Sequence, residues 1–209
     1  SAFPLSAGGV PDLYVAHADS AVVTVLRPEA GQLLPAGRIP LTLPADGLHL
    51  GRFPNGEAGL WSWSLARGLL DYHRNPGTGW VFIESYFAGG PPISTELVDL
   101  NQDTFLDLLI ANGATGNLGI LFGNNQRGFR AYFAGALSAP PSDAMVLDED
   151  ADGDLDYLVT CFGNRTLDIL HGDGRGRWRT SSSPLRLDER PLGLAAVLAD
   201  ADTVPELAV

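Results

Sequence analysis

The chain has 209 residues, 45% of them hydrophobic, a formal net charge of −12, and arginine at all 13 basic positions. That length buries a core in one domain or two, and the acidic, lysine-free balance argues against nucleic-acid binding, which needs basic clusters to neutralise phosphate. Gly (25) and Pro (15) predict many turns, and no apolar run approaches the ~18 residues that a membrane-spanning helix needs.

The first residues, "SAFPLSAGGVPD", have neither a charged leader region nor a long apolar core, so they do not read as a signal peptide. A removed leader remains open, because the chain does not begin with Met. From there the chain repeats. "DLYV" (12–15), "GLWSW" (59–63), "DLLI" (107–110), "DYLV" (156–159) and "ELAV" (206–209) align, with Leu13, Leu60, Leu108, Tyr157 and Leu207 spaced 47, 48, 49 and 50 residues apart. After each of the first four come a polar break and a second apolar run: "AVVTVL", "GLLDYH", "NLGILFG" and "TLDILHG". A Gly-rich turn follows, closing on an aromatic in three of the four: Trp80, Phe129 and Trp178. These aromatics read as structural.

Each unit therefore reads as three or four short strands joined by tight turns, with almost no helical periodicity. A repeat of about 48 residues built this way is the signature of a β-propeller blade. The expected fold is all-β: a propeller of four-stranded antiparallel blades in one region, 1–209, with units at about 1–46, 47–94, 95–143, 144–193 and a partial 194–209. The count does not close a ring. The chain starts at second-strand position with "VPDLYVA" and ends two strands into a further unit. The sequence thus predicts a ring completed by further sequence or by a second chain through open blade edges. A four-bladed ring, closed by pairing 194–199 with 10–16, is the alternative.

Two units carry an acidic loop before the second strand. "LVDLNQDTFLDLLI" places Asp99, Asn101, Asp103 and Asp107 at relative positions 1, 3, 5 and 9. "LDEDADGDLDYLV" places Asp148, Asp150, Asp152 and Asp156 at the same four, within six acids in nine residues. Two like charges at ~4 Å and an effective dielectric near 20 repel by about 4 kcal/mol. Position 7 is left to offer a backbone carbonyl, and five or six hard oxygens plus water are what Ca²⁺ prefers. One such loop reads almost as well as a solvated turn; two with identical spacing at one point of a repeat favour two Ca²⁺ sites. An EF-hand is excluded, because position 12 is Ile110 or Val159 rather than a glutamate. The second unit offers only Gly51, Phe53, Asn55 and Gly59, so no metal is expected there. The first keeps Asp12 alone, and the fifth has Asp200, Asp202 and Glu206 but Leu198 at position 1.

These stretches resemble the FG-GAP/VCBS repeats of integrin-alpha-type propellers, whose blades carry a D-x-[DN]-x-[DN]-G-x-x-D calcium loop between the first two strands. The resemblance covers most of the chain as a repeat and is specific over about 95–130 and 144–179. It implies that the same eight residues are calcium ligands. In the third unit Thr104 departs from the pattern's glycine. "LFG" (121–123) and "CFG" (161–163) echo the family's Phe-Gly at differing places.

No G-x-S-x-G, Walker A, H-E-x-x-H or paired C-x-x-C motif is present, so no catalytic residue is assigned. His17, His49, His73 and His171 are scattered over the repeat, and Cys161 reads as a buried thiol. Trp61 and Trp63 share one strand face, and read as packing or as a stacking surface for a sugar or partner. "NRT" at 164–166 is a glycosylation sequon only in a eukaryotic secreted protein. The sequence-level expectation is a non-enzymatic, calcium-stabilised adhesion module that binds a protein or glycan. It would act outside the cytosol: extracellular, at the cell surface or in the periplasm. The alternatives are a structural subunit of a larger assembly and an enzyme-associated propeller acting on polysaccharide.

Overall fold

The computed structural model describes residues 2–3, 11–53, 56–124, 128–181, 184–198 and 205–208. Among them all regular structure is β-strand, and no helix is long and apolar enough to cross a membrane. The chain forms two compact units, residues 1–88 and 89–209.

The first unit contains two four-stranded antiparallel sheets. In one, β1 (Ala2–Phe3), β2 (Asp12–His17), β3 (Ser20–Glu29) and β4 (Gln32–Pro40) pair in chain order; in the other, β5 (Gly47–Arg52), β6 (Ala58–Ser64), β7 (Leu69–Asn75) and β8 (Val81–Phe87) do so. The second unit opens with β9 (Pro92–Val98), β10 (Asp107–Asn112), β11 (Asn117–Gly123) and β12 (Phe129–Ala136). Its next sheet comprises β13 (Asp143–Leu147), β14 (Asp156–Cys161), β15 (Thr166–Gly172) and β16 (Trp178–Ser181), and β17 (Leu185–Arg186) also pairs with β15. Because β16 pairs with residues 170–172 of β15 and β17 with 166–167, the two are halves of one interrupted outer strand. A hairpin, β18 (Ala195–Leu198) with β19 (Pro205–Ala208), follows.

Short connections dictate this meander, since antiparallel neighbours need only a tight turn whereas parallel ones need a long crossover. Between β3 and β4 the turn is two residues, Ala30 and Gly31, both with positive φ (50° and 81°), as a primed hairpin turn requires. The aligned segments all fall on second strands: β2, β6, β10 and β14. Two expectations change. A first strand does precede "DLYV", supplied by Ala2–Phe3, which is too short to carry a pattern. The run near 194–199 takes its partner from β19 rather than from 10–16.

Consecutive sheets pack face to face within each unit. In the first, Tyr14, Val23, Val25 and Ile39 meet Leu50 and Leu60. In the second, Leu109, Ala111, Leu118 and Ile120 meet Ala144, Tyr157, Val159, Cys161 and Leu170. Cys161 is buried as expected, and burial raises its thiol pKa. Trp80 sits edge-on to Tyr14 of the neighbouring sheet at 5.9 Å, and Trp178 edge-on to Tyr157 within its own sheet at 5.3 Å.

Carboxylates stitch the same seams. Buried Asp71 on β7 accepts from the Thr42 backbone N–H (2.9 Å) and hydroxyl (2.5 Å) in the loop leaving the previous sheet, and from the Ser85 hydroxyl (2.6 Å). Asp168 on β15 does the same with the Ser138 hydroxyl (2.5 Å) and Thr166 hydroxyl (2.9 Å). Glu96 on β9 accepts from the Val146 N–H of β13 at 2.7 Å, and Asp143 on β13 accepts from the Leu194 N–H at 3.0 Å.

Burial, opposed by the Val146 amide and reinforced by Asp143, pushes the Glu96 carboxyl up to about 7. The native state then holds a proton that the unfolded chain has already released above its ordinary value of 4.5. The stability this contributes is present below that value and is lost as pH rises through about 7. The Glu96→Gln variant should therefore show a flatter fall in stability between pH 4.5 and 8 than wild type. The difference should amount to at most about 3 kcal/mol in urea unfolding, and identical profiles would refute the assignment.

Candidate metal centre

The two acidic loops share one turn and three equivalent hydrogen bonds. In the fourth repeat, Asp148 Oδ2 accepts from the Gly153 N–H (3.0 Å), Asp150 Oδ1 from Asp152 N–H (3.1 Å) and Asp152 Oδ1 from Asp154 N–H (2.8 Å). In the third, Asp99 Oδ2 accepts from Thr104 N–H (2.8 Å), Asn101 Oδ1 from Asp103 N–H (3.0 Å) and Asp103 Oδ1 from Phe105 N–H (2.8 Å). Both loops turn through left-handed residues at positions 4 and 6: Gln102 (60°) and Thr104 (74°), Ala151 (61°) and Gly153 (91°). Amide donors aimed inward at short acid side chains make each loop an oxygen-lined cup. Gln102 Nε2 reaches across to the Gly153 carbonyl at 3.3 Å, so the two cups are neighbours.

The position-9 acids lie deeper. Asp107 accepts from the Leu100 and Gly123 N–H groups (2.9 and 2.8 Å), and Asp156 from the Glu149 and Gly172 N–H groups (2.9 and 2.8 Å). Each thereby ties its loop to the end of the third strand. Burial pushes the Asp107 carboxyl up to about 7, with Asp103 and Asp99 adding to it against the two amides. A side chain on Gly123 or Gly172 would overlap the carbonyl of Leu106 or Leu155, which is why glycine stands at both places. The counterpart of Phe122-Gly123 is thus His171-Gly172, whereas "CFG" at 161–163 begins on the last residue of the second strand, consistent with the differing places of the two dipeptides in the sequence.

Asp148, Asp150 and Asp152 bring a carboxylate oxygen each to within 4.8 Å of one another. Asp148 Oδ1 is buried and has no hydrogen-bond partner. An unpartnered buried carboxylate oxygen facing two more carboxylates fits a divalent cation. Asp99, Asn101 and Asp103 stand at the same loop positions with one amide oxygen in place of a carboxylate, but there Asp99 Oδ1 accepts from the Asp103 N–H at 3.1 Å. A second cluster, missed in the sequence, joins Glu149, Asp156 and His171. Its signal was the residue before Gly172, visible only once the third strands are in register.

The remaining expectations divide. Trp61 is fully buried, stacked on Tyr72 at 5.1 Å with Phe53 at 5.9 Å, so it packs the sheet and offers no face to a ligand. Trp63 is half-buried beside His49 at 5.6 Å. Asp200 and Asp202, like the side chain of Glu206, lie outside the described residues.

No family model and no curated protein matches the chain. Solved structures do match. One is BBS1N, solved in complex with ARL6DN, with TM-score 0.64, 15% identity, and coverage of 95% of this chain and 57% of that one. A putative 6-phosphogluconolactonase from Bacteroides fragilis follows, with TM-score 0.62, 15% identity, and coverage of 87% and 53%. The periplasmic gluconolactonase PpgL from Pseudomonas aeruginosa gives TM-score 0.63, 17% identity, and coverage of 86% and 52%. The chain spans about half the length of these structures. All are of the propeller type, and the chain shares that fold. The expectation of a non-enzyme is thereby overturned: the same architecture is that of two lactonases, so the absence of familiar catalytic motifs excludes nothing.

Thr104 is a β-branched residue held at φ 74°, where glycine stands in the fourth repeat. Thr104→Gly should relieve strain of order 1 kcal/mol and tighten the third-repeat cup. Calcium titration in an Asp148→Ala background, which isolates that cup, should show higher affinity. Lower affinity would mean that the threonine has a role beyond its backbone.

Proposed function

We propose that the chain is a calcium-dependent β-propeller module, of the FG-GAP/VCBS kind, that holds a protein or glycan partner outside the cytosol. The observation that carries this reading is the convergence of Asp148, Asp150 and Asp152 around a buried oxygen without a partner. All-oxygen donors on a pliable loop suit Ca²⁺ better than Mg²⁺, which demands a near-ideal octahedron. An ion in each cup supplies the positive charge that the converging acids lack. The loop's amides orient those acids, and Asp107 and Asp156 pass the loop's position on to the third strand. Extracellular calcium is concentrated enough to fill modest sites, and the periplasmic lactonase neighbour agrees with such a location. Support for a protein partner comes from the BBS1N neighbour, solved bound to ARL6DN.

Calcium at ~100 times its dissociation constant stabilises by about 3 kcal/mol per site. Melting in Ca²⁺ against EDTA should therefore show a shift of several degrees, and Asp148→Ala should remove roughly half of it. A large calcium shift that Asp148→Ala leaves whole would overturn the ligand assignment.

A second reading is favoured by the two lactonase neighbours: hydrolysis of a sugar lactone. Incubating the chain with glucono-lactone in a pH-stat decides it. Acid release above the spontaneous rate supports that reading, and release at the spontaneous rate removes it.

A further inference from the structure

The strand registers place one residue of each third strand opposite the start of the second strand. Leu13 pairs with Leu26, so Asp12 faces Arg27; Gly59 pairs with Arg74. Leu108 pairs with Leu121, so Asp107 faces Phe122; Tyr157 pairs with Leu170, so Asp156 faces His171. The two sheets without the ligand set carry arginine there. Arg27 donates to both oxygens of Asp12 (3.0 and 2.8 Å). Arg74 likewise grips the Glu57 carboxylate, its Nη2 at 2.6 Å. A guanidinium built into the chain thus neutralises those acids, and no ion is needed.

The two sheets with acidic cups have no such arginine. Phe122 has no polar atom to offer, which leaves the third-repeat cup all-oxygen. His171 is different. Its side chain is 36% exposed, but Nδ1 itself is covered, lies 3.5 Å from Asp150 Oδ2 and 3.7 Å from Asp156 Oδ1, and has no hydrogen-bond partner. The Glu149 and Asp156 carboxylates and the His171 ring each bring a ligand atom to within 4.8 Å of the others. In the neutral tautomer that leaves Nδ1 unprotonated, its lone pair is repelled by two carboxylate oxygens, and a cation among the three turns that repulsion into coordination. Imidazole nitrogen is a ligand that late first-row divalent ions accept more readily than Ca²⁺ does.

Building on the metal reading above, we propose that His171 is a ligand at the fourth-repeat cup. That cup then takes a nitrogen-accepting divalent cation such as Co²⁺ as well as Ca²⁺, and holds it more tightly than the third-repeat cup, whose donors are all oxygen. The residue opposite the second-strand acid thus selects each repeat's counter-ion: arginine its own, phenylalanine a hard cation, histidine a softer one.

Pulsed EPR of the EDTA-stripped full chain loaded with Mn²⁺ tests this directly. Wild type should show nitrogen modulation from a coordinated imidazole. His171→Phe, which installs the third-repeat residue, should abolish it, and Asp99→Ala should leave it. Calorimetry should count two Ca²⁺ in both wild type and His171→Phe, while Co²⁺ affinity falls by about tenfold or more in the latter. His171→Arg should lose one Ca²⁺ and melt in EDTA at or above the wild-type temperature. Two Ca²⁺ bound without nitrogen modulation, or modulation that survives His171→Phe, overturns the proposal and leaves the calcium reading intact; a merely protonated imidazole would give the first of these. No Ca²⁺ bound by wild type removes both.

Discussion

The structure depends on how three of its sheets balance a carboxylate buried where the second strand begins. Asp12, Asp107 and Asp156 are all nearly inaccessible there, and an uncompensated charge in such a place costs several kcal/mol. Two solutions appear along one chain. Asp12 is held by a bidentate arginine, and Asp107 and Asp156 by two backbone amides each. The amide solution brings a loop of further acids with it. Asp148, Asp150 and Asp152 converge within residues 89–209, while in the first unit Arg27 and Arg74 pair with Asp12 and Glu57.

The same logic explains part of the chain's charge. Asp71, Asp168, Glu96 and Asp143 are acceptors for amides and hydroxyls that would otherwise face the seam between consecutive sheets without partners. A carboxylate suits this work because it accepts several hydrogen bonds at once and donates none. Lysine could serve no such amide. Five acids, Asp12, Asp71, Asp107, Asp156 and Asp168, are buried among the described residues, so part of the chain's acidity serves to join strands and sheets rather than to present a surface field.

What was legible in the sequence was whatever repeats. Leu13, Leu60, Leu108 and Tyr157 fall on equivalent strands because every unit must enter the core at the same point, and that constraint writes itself into spacing. The two cups were legible for the same reason: Asp, Asp or Asn, Asp and Asp at fixed intervals need no structure to be aligned. What escaped was information held in pairing rather than order. Ala2–Phe3 is a strand only because β2 lies beside it. His171 looked like a scattered histidine until Tyr157 and Leu170 fixed its register. Trp61 could be put on a strand face but not into the core, since alternation with serine describes both.

Fold and chemistry then separate cleanly. The arrangement of the sheets is shared in outline with the two lactonase structures and with BBS1N, so it cannot by itself specify an activity. The individuality of this chain lies in the loops between first and second strands and in the single residue opposite them. Gln102, reaching from one cup to the carbonyl of Gly153 in the next, makes those loops mechanical neighbours.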